Sequence, residues 1–152
     1  MATRRTFRRR VRHDANAMFD LVADVERYPS FLPWCRALRV VDRKDEGPVE
    51  TIVADMVVAY RMFRESFRSR SRLDRDGLAI DTGFVRGPLK QLQTAWRFRP
   101  VDGEGCEVCF EADFEFKNPL LQRVAGVAVE NVFGRMGEAF VERADALYGT
   151  GR

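Results

Sequence analysis

The chain is poor in the residue types that most often carry catalysis or bind metal ions. Its 152 residues include one histidine and three cysteines. The histidine, His13, stands at the end of a predicted strand beside Asp14, where a capping or surface role is more common than a role as a base. The sequence also lacks the G-x-S-x-G, H-E-x-x-H and phosphate-binding loop motifs of common enzyme classes. We therefore expect a protein that is not an enzyme and holds no metal ion.

The odd number of cysteines argues against a disulfide framework. Cys106 and Cys109 form a C-x-x-C pair, a spacing found in redox and zinc sites. Apolar and polar residues alternate strictly from Cys106 to Phe116, however, which is typical of a strand with one buried face. Residues three apart on a strand point to opposite faces, so the two thiols cannot share a metal ion or a disulfide. We interpret both as ordinary strand residues.

No apolar run approaches the roughly 18 residues that a membrane-spanning helix needs. The arginines near the N-terminus are not followed by the apolar segment of a secretory signal. Hydrophobic residues make up 45% of the chain and charged residues 32%, which is ordinary for a soluble globular protein. We expect one domain over residues 1–152, large enough to bury a substantial core.

The net charge of +3 is unevenly distributed along the chain. Six arginines lie between Arg4 and Arg12. A second group shares one face of a predicted strand: Arg64, Arg68, Arg70 and Arg72. Such a row suits the phosphate groups of lipid or RNA, and it equally suits pairing with acidic side chains across the sheet. The acidic candidates on a strand that we expect to be its neighbour are Glu107, Glu111, Asp113 and Glu115.

The segment Asp24–Cys35 concentrates apolar side chains around two prolines. Each proline fixes its own φ and biases the preceding residue away from the helical region, so we expect no regular helix in this elbow. The apolar residues of the elbow are Tyr28, Phe31, Leu32 and Trp34. A loop of this composition packs beneath a domain, covers an apolar cavity or touches a membrane.

Hydrophobic periodicity predicts the order of strands and helices. A strand over Thr6–His13 precedes a helix over Ala15–Ala23, which Asp14 can cap. Alternation after the elbow predicts six more strands, and Asn118 and Pro119 begin a helix that runs to about Tyr148. The six strands are expected at Arg36–Arg43, Val49–Val58, Tyr60–Asp74, Leu78–Val85, Leu89–Arg99 and Cys106–Phe116.

This order predicts an α+β fold of the helix-grip type. A curved antiparallel sheet of about seven strands wraps around one long C-terminal helix, with a short helix or helices after the first strand. The inward residues are rich in aromatics, which either fill the interior or line a tunnel between sheet and helix. We expect these inward residues to line the tunnel: Phe67, Phe84, Trp96, Phe98, Phe114, Phe133, Met136 and Phe140.

Three glycines, Gly126, Gly134 and Gly137, lie inside the predicted C-terminal helix. Each costs up to ~1 kcal/mol of helix propensity relative to alanine, so their presence needs a reason. Either the helix packs closely against the sheet at these positions, or they leave room for something bulky along the helix.

Several motifs resemble the ubiquinone-binding START-type proteins of bacteria and mitochondria, within the superfamily that includes polyketide cyclases and the plant pollen-allergen proteins. The resemblance rests on DVERYPSFLPWC at 24–35, ESFRS at 65–69, Gly87-Pro88-Leu89 with Leu92 and Trp96, and FEFKNPL at 114–120. It covers nearly the whole chain in order. It implies a helix-grip fold and binding of a polyprenyl quinone in support of respiration, without chemistry on the ligand. Some bacterial relatives are described as toxins that block the association of ribosomal subunits.

These features predict non-enzymatic binding of an apolar lipid, with ubiquinone favoured, by a quinone carrier or chaperone of respiratory electron transport. Alternation turns Glu65 inward between Phe63 and Phe67, where its carboxyl group could meet a polar ligand head together with Trp96 or Tyr60. A structural role for Glu65, as the partner of a buried arginine or a backbone amide, is the alternative. A third hypothesis is a polyketide cyclase-like enzyme that uses Glu65 with Tyr60.

The elbow would act as a gate of the tunnel or as a lip that touches a membrane. We expect its four apolar residues to contact the ligand, and Phe31, Leu32 and Trp34 to meet the membrane surface. The alternative partner is the ribosome, contacted through the strand arginines Arg64, Arg68, Arg70 and Arg72. We expect a cytoplasmic location in a bacterium, with peripheral contact at the inner membrane.

Overall fold

Turn residues and strand pairing set the boundaries of the elements. The structure, a computed structural model, describes residues 3–60, 63–101 and 103–149. The strands are β1 (Thr3–Val11), β2 (Cys35–Glu46), β3 (Val49–Tyr60), β4 (Phe63–Asp74), β5 (Ala79–Arg86), β6 (Leu89–Pro100) and β7 (Cys106–Phe116). The helices are α1 (Ala15–Ala23), α2 (Tyr28–Phe31) and α3 (Pro119–Tyr148), with a 3-10 turn at Val25–Arg27.

The strands form one sheet in the order β1-β7-β6-β5-β4-β3-β2. Every neighbouring pair is antiparallel. Helix α3 lies across the inward face of the sheet and contacts mainly β1 and β7, while α1 contacts β6 and β7. This is the predicted helix-grip fold, and the prediction is confirmed.

Capping and turn chemistry place the helices close to their predicted positions. The Asp14 carboxylate accepts a hydrogen bond from the backbone N–H of Asn16 at 3.0 Å and so satisfies a free donor of α1. Pro119 is the first residue of α3, where its missing N–H breaks no helical hydrogen bond. Gly87, at φ +146° between β5 and β6, is required by close approach, because a Cβ there would lie 2.7 Å from the Cβ of Phe67.

The elbow contains helix, contrary to the prediction. The 3-10 turn Val25–Arg27 leads directly into α2, and Pro29 lies in the first turn of that helix. A proline there removes only an N–H that has no helical partner, so one helical turn survives. The turn closes when the N–H of Leu32 donates to the Tyr28 carbonyl at 2.9 Å.

The boundary between β3 and β4 also differs from the prediction. We predict a break after Val58, whereas β3 continues to Tyr60 and β4 begins at Phe63. Tyr60 and Phe63 are cross-strand partners. No glycine or proline occurs between Pro48 and Gly77, so the composition of this region carries no signal for a turn.

Aromatic rings dominate the core between the sheet and the helices. The Trp96 ring stacks on Phe98 with an interplanar angle of 8°. The centroid of Phe110 lies 4.4 Å from Trp96, and Phe140 of α3 meets Trp96 edge-on at 5.1 Å. Each such aromatic pair contributes about 0.5–1.5 kcal/mol beyond the burial of its area. The cluster therefore fixes the middle of α3 over β6 and β7.

His13 is a structural residue of the interior, so the predicted surface role is wrong. Its side chain is buried, and its Nε2 lies 2.7 Å from Oδ1 of Asp145 in the last turns of α3. The ring of Tyr148 packs beside it, with 5.9 Å between the centroids. The segment after β1 is thus tied to the C-terminal end of α3.

Cys106 and Cys109 lie on opposite faces of β7, as predicted, since burial alternates along the strand. Burial raises the pKa of Cys35 and of Cys106 to about 11, so both thiols stay protonated near neutral pH. Within the described ranges, no group of three histidine, cysteine or acidic residues is placed to hold a metal ion. In the same ranges, no helix combines the length and the apolar character that crossing a membrane requires.

The three glycines of α3 differ in their surroundings. A Cβ at Gly137 would overlap the ring of Phe7 on β1, so close packing explains that position. A Cβ at Gly134 would meet nothing within 4 Å. At Gly126 the nearest atom is Nε2 of Gln122, which belongs to the same helix. The hypothesis of close packing on the sheet is therefore confirmed for Gly137 alone.

We expect Gly137→Ala and Gly134→Ala to change stability in opposite directions. The first substitution forces a methyl group against Phe7, and such overpacking costs roughly 1–3 kcal/mol. The second gives a better helix former at an open position and stabilises by up to ~1 kcal/mol. Urea unfolding followed by circular dichroism measures both. Equal effects of the two substitutions would contradict the close contact between Phe7 and α3.

Candidate functional site

A cavity of about 130 Å³ lies between the inward face of the sheet and α3. Side chains of β3 to β6 form most of its floor, α3 forms its roof, and the elbow closes it through Val25, Tyr28 and Trp34. The wall is mainly apolar. Among the described residues that line it, Glu65 is the one charged side chain.

Most of the predicted ligand-binding residues meet at this cavity. Eight of them line it: Tyr28, Trp34, Glu65, Phe67, Trp96, Phe133, Met136 and Phe140. They come from the elbow, from two strands and from α3, which are far apart in the chain. Strand alternation and helical spacing are therefore reliable guides to which residues face the interior.

The remaining predicted residues do not reach the cavity. Five of them lie elsewhere: Phe31, Leu32, Phe84, Phe98 and Phe114. Leu32, Phe98 and Phe114 are at most 2% exposed and pack into the core. Phe98 lies against Phe19 of α1, and Phe114 lies against Phe133 of α3. Phe84 packs partly buried beside the small cluster around Phe114. The side chain of Tyr60 lies outside the described part of the chain.

The elbow covers the cavity, and two of the three residues predicted to touch a membrane lie in the core. Leu32 and Trp34 are 2% and 5% exposed, so the predicted membrane contact through these two residues is wrong. The single turn of α2 directs both toward the core and leaves Pro29 and Ser30 in solvent. Phe31 is half-buried, and the Arg143 guanidinium lies 5.1 Å from the centroid of its ring.

Tyr28 holds the elbow against the helices. Its hydroxyl donates a hydrogen bond to the Val22 carbonyl at the end of α1, and its ring meets Phe140 edge-on at 5.2 Å. Burial raises the pKa of Tyr28 far above its usual range, and nearby Cys35 and Asp24 add to the effect. The phenol therefore stays protonated, and its proton is already used within the protein.

Sequence reasoning missed a set of hydroxyl groups on the cavity wall: Ser69, Ser71, Thr82 and Thr94. Ser69 and Ser71 are 7% and 8% exposed. The alternation that turns Glu65 and Phe67 inward turns both serines inward as well, so strand position could have found them. Their residue type hid them, because serine is most often a surface residue.

The arginine face of β4 points to solvent, as alternation predicts. Arg64, Arg70 and Arg72 are exposed, while Arg68 forms two hydrogen bonds to the Asp55 carboxylate on β3, at 2.7 and 3.0 Å. These bonds hold the pKa of Asp55 below its usual value. Arg64 and Arg70 form no ion pair with any residue that the structure describes.

The acidic partners predicted for this face are wrong. Strand β4 lies between β3 and β5, whereas β7 lies between β1 and β6. Because the strands follow one another across the sheet, the acids of β7 are out of reach of β4. They meet basic residues of β1 and β6 in the pairs Arg4–Asp113, Arg8–Glu107, Arg99–Glu107 and Lys90–Glu115. The exposed arginines of β4 thus remain a basic surface.

An antiparallel sheet that grips a long C-terminal helix over an internal cavity defines a START-like, helix-grip protein. Residues 11–141 match the profile described as polyketide cyclase / dehydrase and lipid transport. The chain therefore belongs to the polyketide cyclase/dehydrase and lipid transport family. That description covers enzymes as well as lipid transport.

Two named relatives and one solved structure are similar to this chain over most of its length. A protein of Pseudomonas aeruginosa named ribosome association toxin RatA is 32% identical over 137 residues, which cover 90% of this chain and 92% of the relative. The mitochondrial coenzyme Q-binding protein COQ10 homolog B of Xenopus laevis is 33% identical, over 87% of this chain and 54% of the relative. The solution structure of the 18 kDa protein CC1736 from Caulobacter crescentus is 33% identical, covers 97% of this chain and 99% of its own, and superposes with a TM-score of 0.78.

We expect Leu32→Asp to destabilise the whole fold. A carboxyl group at a site that is 2% exposed loses its hydration and replaces a packed side chain. The two effects together cost at least about 3 kcal/mol. Leu120→Asp, the same substitution at a site that is 65% exposed, is the control and should change stability by no more than about 0.5 kcal/mol. Thermal unfolding by circular dichroism measures both, and an unchanged midpoint for Leu32→Asp would contradict the burial of the elbow.

Proposed function

We propose that the protein binds an apolar lipid whose head is an uncharged ring, with ubiquinone as the favoured ligand, and carries it without chemical change. The observation that carries this proposal is the mainly apolar cavity beneath α3. Water finds few polar partners in such a space, whereas a ligand of matching polarity gains free energy by removing its own apolar surface from water.

The size of the cavity supports a ring as the buried part of the ligand. Its volume of about 130 Å³ is close to the roughly 150 Å³ of an engineered apolar cavity that binds benzene. One six-membered ring therefore fits, and a polyprenyl tail does not. The tail would leave through the elbow, past Tyr28 and Trp34. Each methylene of the tail that is removed from water contributes about 0.8 kcal/mol.

The comparisons support the same ligand class. The Xenopus relative is named as a coenzyme Q-binding protein, and the family description includes lipid transport. In this role the protein acts in the cytoplasm of a bacterium as a quinone carrier or chaperone for respiration, and touches the inner membrane when it exchanges its ligand. Tyr28 and Trp34 of the elbow, which close the cavity, form the gate that must move.

The proposal assigns no catalytic step to the protein. A cyclase would need an acid and a base beside the ligand, and Glu65 is the one titratable carboxyl on the described wall. The Tyr28 hydroxyl is held by Val22, and the buried thiol of Cys35 stays protonated. These features support binding over catalysis.

The first test is the ligand content of the gently purified protein. Solvent extraction followed by mass spectrometry should recover a polyprenyl quinone in near-stoichiometric amount. Both tryptophans of the chain, Trp34 and Trp96, line the cavity, so quenching of their fluorescence by an added short-tailed quinone reports uptake. An extract without lipid, together with no quenching by the added quinone, would refute the proposal.

We expect Ala54→Phe to weaken quinone uptake by at least about tenfold, because the new ring occupies the space of the ligand ring. Ala54 is 6% exposed and lines the cavity. Ala37→Phe places the same ring at an exposed position of β2 and serves as the control, with uptake unchanged. Tryptophan quenching measures both variants after circular dichroism has shown that they are folded. Wild-type affinity in Ala54→Phe would place the ligand elsewhere.

We propose ribosome binding as a second function, because Arg64 and Arg70 of β4 are exposed and form no ion pair with any residue that the structure describes. A groove of about 340 Å³ beside them is lined in part by Arg39, Arg68 and Arg86. Asp55 in the same groove pairs with Arg39 and Arg68. RNA phosphates bind such a surface, with an affinity that falls steeply as salt rises. The name of the Pseudomonas relative, a ribosome association toxin, supports a ribosomal subunit as the partner.

We expect charge reversal on β4 to abolish any effect on subunit association and to leave lipid content unchanged. The variant combines Arg64→Glu, Arg70→Glu and Arg72→Glu, all at exposed sites. The control, with the same change of net charge, combines Arg10→Glu, Arg123→Glu and Arg135→Glu, at exposed sites away from β4 that form no ion pair with any described residue. Sucrose-gradient profiles of ribosomal subunits, taken at two salt concentrations, measure the effect. Equal behaviour of variant and control would show that β4 is not the contact surface.

A further inference from the structure

A row of hydroxyl groups crosses the floor of the cavity. Ser71, Thr82 and Thr94 are partners in register on the adjacent strands β4, β5 and β6, and all three line the cavity. Partners in register lie about 4.5–5.5 Å apart on one face of a sheet, so the three side chains are consecutive neighbours. The row is bounded by apolar residues at the next register positions, Ile52 on β3 and Ala112 on β7.

Hydrogen bonding within the row is incomplete. The oxygens of Ser71 and Thr82 lie 2.8 Å apart, and either hydroxyl can be the donor. The Thr94 hydroxyl forms no hydrogen bond with any residue in the described ranges. Each hydroxyl has one proton to donate, so one member of the bonded pair and Thr94 both retain a donor toward the cavity.

Ser71 is 8% exposed, and Thr82 and Thr94 are partly buried, so their hydroxyls border the cavity. A hydroxyl forms fewer hydrogen bonds in such a place than in water, whereas an apolar residue there loses none. The neighbouring inward positions along β5 and β6 are apolar, as with Ile80 next to Thr82 and Trp96 next to Thr94. Along β4, Ser69 adds a further inward hydroxyl next to Ser71. Hydroxyl groups therefore take the place of apolar side chains in the part of the floor that borders the cavity. A ligand that accepts hydrogen bonds would explain their position.

We propose that Ser71, Thr82 and Thr94 bind the head of the ligand by donating hydrogen bonds to its ring oxygens. This inference rests on the proposed lipid-binding function and specifies the ligand further. The head is an uncharged ring that bears carbonyl or ether oxygens, and it enters the cavity first, with the tail directed outward.

Other polar groups of the wall are less suited to this role. The carbonyl oxygens of a quinone only accept hydrogen bonds, so they need donors on the wall. A serine or threonine hydroxyl always carries a proton to donate, whereas a carboxyl group such as that of Glu65 donates only when it is protonated. The Tyr28 hydroxyl already donates to the Val22 carbonyl. The hydroxyl row is thus the set of aligned donors that remains on the floor of the cavity.

The wall also discriminates against charged heads. No lysine, arginine or histidine occurs among the described residues that line the cavity, and Glu65 is negatively charged when ionised. An anionic head would be buried without a countercharge, which is strongly unfavourable. The site therefore selects a neutral ring over a fatty acid with a comparable tail.

The test compares the binding of two ligands to the wild type and to variants of the hydroxyl row. One ligand is a ubiquinone with a short alkyl tail, and the other is an alkylbenzene with the same tail and no oxygen. The variant combines Ser71→Ala, Thr82→Val and Thr94→Val, so that both members of the bonded pair are removed and neither is left unpaired. We expect calorimetric titration to show about tenfold weaker binding of the quinone and unchanged or tighter binding of the alkylbenzene, since two hydrogen bonds to the quinone are lost.

Thr94→Val alone is the second variant, because its hydroxyl has no partner in the described structure and its loss should not disturb folding. It should weaken quinone binding about threefold, the effect of one lost hydrogen bond. The infrared carbonyl band of the bound quinone gives a further readout and should move to higher frequency in both variants. A purely structural effect would not move that band.

The outcomes separate this inference from the proposed function. If the variants bind the quinone as tightly as the wild type does, the hydroxyl row does not hold the head, although the lipid-binding function stands. If palmitate binds the wild type as tightly as the quinone does, the selection of a neutral head is wrong. If the wild type binds neither the quinone nor the alkylbenzene, the proposed function fails and this inference fails with it.

Discussion

Helix α3 is held along the β1 edge of the sheet, and the shape of the interior depends on that attachment. Gly137 lets the helix approach the ring of Phe7 more closely than any residue with a side chain would allow. Three charged or polar pairs from the same side of β1 follow the helix on either side of this contact: Arg5–Glu130, Arg9–Glu138 and His13–Asp145. The two exposed arginine pairs are weak on their own, so the close packing at Gly137 and the buried His13 carry most of the attachment.

An off-centre helix leaves part of the sheet without cover. Helix α1 covers β6 and β7, and α3 covers β1 and β7, so β3 and β4 receive little packing from either. Trp96, Phe110 and Phe140 fill the space nearest to α3. The rest of the inward face borders the cavity, and the elbow closes it. The cavity is therefore a product of where the helix is anchored, and it requires no special residue of its own.

Periodicity is sufficient to predict the elements, because the alternation along β7 and the helical spacing in α3 are long and regular. Periodicity also identifies which side of a strand faces the cavity, as with Phe67 and Trp96. It does not predict features that depend on contacts between distant parts of the chain. The local sequence carries no signal that the helical turn containing Pro29 directs Leu32 inward. It also carries no signal that β7 lies three strands away from β4 in the sheet. Residue type misleads for Ser71, whose strand position alone marks it as inward.

Strands β1 and β2 are the two outermost strands of the sheet, so each has backbone N–H and C=O groups that no neighbouring strand satisfies. Such edges invite another chain to add a strand, which leads to aggregation. Five of the nine residues of β1 are arginines, and most of β2 beyond Val41 is charged. Charged side chains on an edge strand hinder the addition of another strand, because they would have to leave water. The charged residues of β1 and β2 therefore oppose self-association through the edges of the sheet, whatever ligand the interior holds.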